Sequence, residues 1–253
     1  MKSATDIGMN RTGISFSPLH SKELIEGAEK AEPSSMGDES NLAALRASYI
    51  KEGEPVGTVP PPATLKGAAE TVVNMFKGQK LGVLLDKLGE RLAFERNGVR
   101  LYDAVIGKAL VEGTWEGGPS IEELKQIQND ELRHVAMLIE VIAGLGADPT
   151  VMTPSADIMG VMSMGLVQVC TDPRVSLAQS LNAILTAELA DNDAYTVLIL
   201  LVDSLGEKDL AERFRTARTD EDVHLQKVRL WVSNHCVAEG ARDLEKTAEP
   251  NAT

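Results

Sequence analysis

The sequence predicts an all-α protein whose body is a four-helix bundle, made as two antiparallel hairpins joined by a long crossover and preceded by an N-terminal extension. Aromatic residues are only 4% of the 253 positions, while Leu, Ala, Val and Glu dominate, a helix-forming composition. From about residue 80 onward apolar side chains recur at alternating steps of three and four, the period of a buried helix face. The breaks between the four periodic stretches run short, long, short, which decides which helices are neighbours.

In chain order, residues 1–63 are rich in Ser, Gly, Pro and Glu and end in Val59-Pro60-Pro61-Pro62, with a helical pattern only near Asn41 to Glu52. This segment is expected to be an extension, partly disordered or wrapping the body, because it offers too little apolar surface for a core of its own. Residues 64–77 read as a short amphipathic helix opening a domain that spans 64–240, and residues 241–253 as a disordered tail.

The first long helix carries Leu88, Leu92, Val99 and Ile106 on one seam, with Glu95 and Tyr102 in the same register. A Gly-rich link closes on Ser120, with Glu123 three residues later, a capping box that starts the second helix. That helix places Ile121, Leu124, Val135, Leu138, Ile142 and Leu145 around Glu131 and His134. Residues 146–171 are long enough to run back along the body, and Met152, Met159, Met162 and Met164 are expected to fill gaps against it. The third helix sets Leu177, Leu181, Ile184, Leu198, Val202 and Leu205 around Glu188, Asp191 and Tyr195, and stops at Gly206. The fourth sets Leu210, Phe214, Ala217, Val228 and Trp231 around Glu221 and His224. Each seam is therefore apolar at both ends and charged in the middle. Gly98 and Gly107 lie inside the first helix, where each costs about 1 kcal/mol against Ala.

Six ionisable residues on inward faces need neutralising, because an unpaired buried charge costs several kcal/mol. A pair of cations meets that need. Glu95, Glu131, Glu188 and Glu221 supply oxygens, His134 and His224 supply one nitrogen per ion, and four negative charges balance two divalent metals. The i, i+3 spacing of Glu131 with His134, and of Glu221 with His224, puts carboxylate and imidazole on one helix face, about 5 to 6 Å apart at Cβ. The hairpins also repeat each other, with Asp130-Glu131-Leu132-Arg133-His134 echoed by Asp220-Glu221-Asp222-Val223-His224. One Glu from each of two helices with Glu-x-x-His from each of the other two is the ligand arrangement of di-iron and di-manganese carboxylate bundles.

On these residues, 80–235 resembles the ferritin-like di-metal carboxylate superfamily, which includes ferritins, rubrerythrins, manganese catalases and ribonucleotide reductase small subunits. Asp130 to His134 looks like the Asp/Glu-Glu-x-Arg-His signature of its oxygen-activating members, and the second copy departs from it with Val223 in place of Arg133. The resemblance implies that Asp130 and Asp220 each orient the histidine of the opposite hairpin, with Arg133 in that network. It also implies a redox or hydrogen-bonding role for Tyr102, with Tyr195 as its counterpart, against the alternative of core packing. Asp191 is either a seventh ligand or an acid behind the ligands.

Hard carboxylates with one imidazole per metal suit Fe or Mn with open positions. The function expected is a non-haem di-iron oxidoreductase acting on dioxygen or hydrogen peroxide, as a ferroxidase, a peroxide scavenger or an oxidase of a small-molecule substrate. A manganese catalase-like enzyme with two Mn or mixed Mn/Fe, and a metal-storage protein without turnover, stand as alternatives. A net charge of −13 with no Lys/Arg cluster speaks against nucleic acid as a partner. No apolar run suggests a signal or membrane span, so a cytoplasmic protein, as a homodimer, is expected. Cys170 and Cys236 read as two ordinary buried thiols, and His20 and His235 as surface or capping residues.

Overall fold

The computed structural model describes residues 18–30, 40–54, 56–57 and 81–248. Among them it is entirely helical, and it divides into two units, residues 1–54 and 55–253. The first unit contains α1 (Pro18–Lys30) and α2 (Ser40–Glu52), the second of which matches the helical pattern expected there. The second unit contains α3 (Leu81–Glu112), α4 (Ile121–Gly144), α5 (Pro154–Thr171), α6 (Leu177–Leu205) and α7 (Lys208–Ala248). The helix expected over 64–77 lies outside the described residues. The division falls before residue 63 because Gly57 already packs on the main unit. Its φ of +91° suits glycine, and a Cβ there would come within 2.7 Å of the Thr153 carbonyl carbon.

Local signals start and stop these helices where the sequence places them. Ser120 accepts from the Glu123 backbone N–H while the Glu123 carboxylate accepts from Ser120 N–H, closing the expected box at the head of α4. Ser176 and Gln179 close a second one at the head of α6. Gly206, at φ +79°, ends α6 in the left-handed conformation that glycine adopts without penalty.

The four long helices α3, α4, α6 and α7 contact one another around two apolar clusters. One gathers Leu101, Val105, Leu124, Ile127, Leu181, Ile184, Val228 and Trp231. The other gathers Leu88, Leu92, Leu138, Ile142, Leu198, Val202 and Phe214. Both draw on all four helices, and the charged residues of each helix fall between the two sets in sequence. Val99, Ile121, Val135, Leu145, Leu205 and Leu210 of the expected seams are only partly buried.

The crossover runs back along the body as expected, and it is itself helical: Thr153 caps α5, with Pro154 at its first position, and α5 packs along α3. Three expectations are corrected. Of the crossover's methionines only Met159 packs against the core, while Met152, Met162 and Met164 are more than half exposed, because the apolar residues of α5 go all the way round the helix and only one side meets α3. The last helix runs on to Ala248, past residue 241 where a disordered tail was expected. Cys170 is buried, but Cys236 is exposed, since it lies near the end of α7 beyond the core layers. His235 packs against Trp115 with ring centroids 4.6 Å apart and planes tilted by 51°, a surface packing role; the side chain of His20 lies outside the described residues. No described helix is long and apolar enough to cross a membrane.

Candidate metal centre

Residues a full hairpin apart in sequence meet at the middle of the four long helices. Glu95, Glu131, His134, Glu188, Glu221 and His224 are all at most 3% exposed. Their donor atoms form two sets that could hold a metal ion: Glu95, Glu131, His134 and Glu221, and Glu131, Glu188, Glu221 and His224, the atoms of each set lying within 4.8 Å of one another. Glu131 and Glu221 belong to both sets, and the other four residues to one each. Sequence spacing alone does not give this division.

Outer contacts aim the donors inward. His134 Nε2 lies 3.3 Å from Asp220 Oδ2, and His224 Nε2 lies 3.3 Å from Asp130 Oδ2. Each histidine is thus engaged by the aspartate of the other hairpin, which leaves its Nδ1 facing the carboxylates. Arg133 bonds Asp130 and stands 3.7 Å from Asp220, so one arginine reaches both acids and the Val223 position needs no second. Tyr195 donates to Glu95 Oε1 at 2.6 Å, and Tyr102 donates to Glu188 Oε1. Each tyrosine therefore ties one oxygen of the glutamate on the opposite helix and leaves the second free.

Those second atoms have no hydrogen-bond partner. Glu95 Oε2, Glu131 Oε2, Glu188 Oε2, both Glu221 oxygens, His134 Nδ1 and His224 Nδ1 are all buried and unsatisfied. His134 Nδ1 lies 2.8 Å from Glu221 Oε1 and His224 Nδ1 lies 3.3 Å from Glu221 Oε2, close enough for ion pairs when the imidazoles are protonated. Buried polar atoms are nearly always satisfied, so a convergent set of unsatisfied oxygens and nitrogens is one that could hold a cation.

The titration of these groups shows the same demand. Burial, with the neighbouring carboxylates Glu221 and Glu95, pushes Glu131 well above the usual carboxylate range. Burial, with Glu221 beside it, takes Glu188 up to about 8. Burial opposes a charge on His134 as well, yet contact with Glu221 and Glu95 raises it to about 11; the same two imidazoles hold Glu221 down to about 2 against its own burial. Protons here do what a cation would do: they cancel carboxylate charge that water cannot reach.

Two further residues complete the centre, and sequence reading missed the role of both. Arg91, 3% exposed, pairs with Asp191 at 2.9 Å and stands 3.4 Å from Glu95 Oε1. Asp191 thereby lies outside both donor sets, behind the ligands. Arg91 sits one helical turn before Glu95, and that i, i+4 spacing was the available signal. Gly98 faces Glu131, and a Cβ on it would lie 2.5 Å from Glu131 Oε2. Its place in the helix follows from the room the carboxylate needs.

Comparison with family models, with curated proteins and with solved structures finds no match. The reading of this centre rests on its own geometry.

Proposed function

We propose that this chain is a ferritin-like four-helix bundle holding a pair of iron or manganese ions, and that it is an oxidoreductase acting on dioxygen or hydrogen peroxide. The observation that carries this is the converging set of buried, unsatisfied carboxylate oxygens and imidazole nitrogens, divided into two groups of four that share Glu131 and Glu221. In this reading Glu95 with His134 would hold one ion, Glu188 with His224 the other, and Glu131 and Glu221 would serve both. Two such ions supply two-electron redox chemistry to a small oxidant.

The protein's part is positioning, proton control and exclusion of water. Asp130 and Asp220 fix the orientation of the two imidazoles. Tyr102 and Tyr195 are pushed well above their ordinary pKa by burial and by the facing carboxylates, so both keep their protons and remain donors to Glu188 and Glu95. The ligands are shut away from solvent, which suits molecules as small as dioxygen or peroxide. Manganese would favour peroxide disproportionation, and iron would favour oxidase or ferroxidase chemistry.

Reconstitution of metal-free protein with Fe(II) or Mn(II), followed by desalting and elemental analysis, should leave a pair of ions per chain. Oxygen-electrode traces with dioxygen or added peroxide should then show metal-dependent consumption or release. Retention of no stoichiometric metal would refute the centre, and stoichiometric metal without turnover would make the protein a metal store.

A further inference from the structure

The two halves of the centre carry the same ligand types at the same spacing, and they differ in the residues around them: Arg133 answers to Val223 at the rim, and a larger difference lies deeper. Four positions before Glu95 stands Arg91, and three after it Gly98; the corresponding positions around Glu188 are Ile184 and Asp191. The difference is buried and charged. Arg91 Nε lies 3.4 Å from Glu95 Oε1, its Nη2 lies 2.9 Å from Asp191 Oδ1, and the guanidinium sits 4.6 Å from the Phe94 ring centroid and 5.3 Å from that of Tyr195. Ile184, fully buried, puts no charge on the other side.

Glu188 Oε1 therefore accepts from the Tyr102 hydroxyl alone, whereas Glu95 Oε1 accepts from the Tyr195 hydroxyl and also stands 3.4 Å from the Arg91 guanidinium, an ion pair without a hydrogen bond. A guanidinium stays cationic even when buried, and Arg91 has Asp191 and Glu95 beside it. A permanent positive charge against a ligand carboxylate draws electron density from it and repels a second cation, and burial leaves that repulsion little screened. Asp191 offsets part of the charge, but it contacts Arg91 and belongs to neither donor set. Arg91 also lines a surface pocket of about 220 Å³, with Lys87, Glu90, Asp193, Ala194 and Val197.

We propose that Arg91 makes the two ion positions unequal, so that Glu188 and His224 take the first divalent cation and Glu95 and His134 take the second only at higher concentration. This rests on the two-ion reading given above. Arg91 is then a positioning residue, acting through Glu95, and it sets the order of assembly: a chain holding a single ion carries it at the Glu188 position. The Glu95 position, the weaker of the two, is the one that exchanges.

The test is titration of the metal-free full chain with Co(II), followed by d–d absorption and by calorimetry. Wild type should bind in two steps about tenfold or more apart in affinity. His224→Ala should remove the tighter step and His134→Ala the weaker one. Arg91→Ile with Asp191→Ala, which gives this half the apolar surroundings of the other, should merge the two steps. If that variant does not fold, crystals of wild type soaked in substoichiometric Mn(II) give the same answer, with anomalous density expected at Glu188 and His224. Two ions bound in one step, or first density at Glu95 and His134, would overturn the inference and leave the two-ion centre standing. No binding at all would overturn the centre itself.

Discussion

At Gly98 two residue-scale effects oppose each other. Alanine there would favour the helix by about 1 kcal/mol, but its Cβ would lie 2.5 Å from Glu131 Oε2 and 3.0 Å from Cδ. The carboxylate tip can swing aside, so the fold should survive while the donor set is displaced. Gly98→Ala is expected to leave the thermal midpoint of the metal-free protein unchanged or slightly raised and to weaken metal binding about tenfold or more, as calorimetry with Mn(II) would show. Asp130→Asn and Asp220→Asn act from the outside, through the imidazoles they orient. Each should lower metal affinity by about 10- to 100-fold, with helicity by circular dichroism unchanged. An undiminished affinity in both variants would mean that these acids do not set the histidine orientation.

Among the elements, α5 departs furthest from expectation, and its anchoring is local and checkable. The Asp86 carboxylate of α3 accepts from Ser155 N–H at 2.9 Å and from its hydroxyl at 2.6 Å, while Thr153 Oγ1 donates to the Asp86 carbonyl at 3.3 Å. One acid thus caps α5 and ties it to α3. Burial works against its charge, but the bonds to Ser155 keep its pKa below the ordinary value. Asp86→Ala should cost about 1 kcal/mol, the usual worth of an N-terminal cap, read as a lower denaturant midpoint with metal affinity preserved. This helix was hard to read from sequence because Gly160 and Gly165 interrupt it and its apolar residues form no stripe. The capping boxes at Ser120 and Ser176 lie entirely within four residues, which is why the first was legible beforehand.

For the whole molecule the buried acids reverse the ordinary pH dependence. Glu188 has a folded pKa of about 8 against 4.5 for the free group, so between those values the folded metal-free chain holds a proton that the unfolded chain has lost. Stability therefore falls as pH rises through that window. His134, raised from 6.5 to about 11, acts in the same sense: its contribution is complete below 6.5 and declines above it. Glu221, lowered to about 2, contributes above 4.5 and loses that contribution only in acid. The thermal midpoint of metal-free protein is thus expected to drop from pH 5 to pH 9, and metal loading should abolish the drop and release protons, as calorimetry in buffers of different ionisation enthalpy would show. A midpoint that rises over that range would contradict the burial of these groups. The sequence by itself determined the all-helical class, the seams with charged middles, and the six carboxylates and imidazoles that are buried together, because helix period and i, i+3 spacing are local and survive in one dimension. Only the tertiary structure decided that Glu131 and Glu221 are shared, that each histidine meets the aspartate of the other hairpin, and that Arg91 sits on one half alone. Those facts depend on which side chains four separate helices bring within a few ångströms of each other, and no local pattern in the chain encodes that distance.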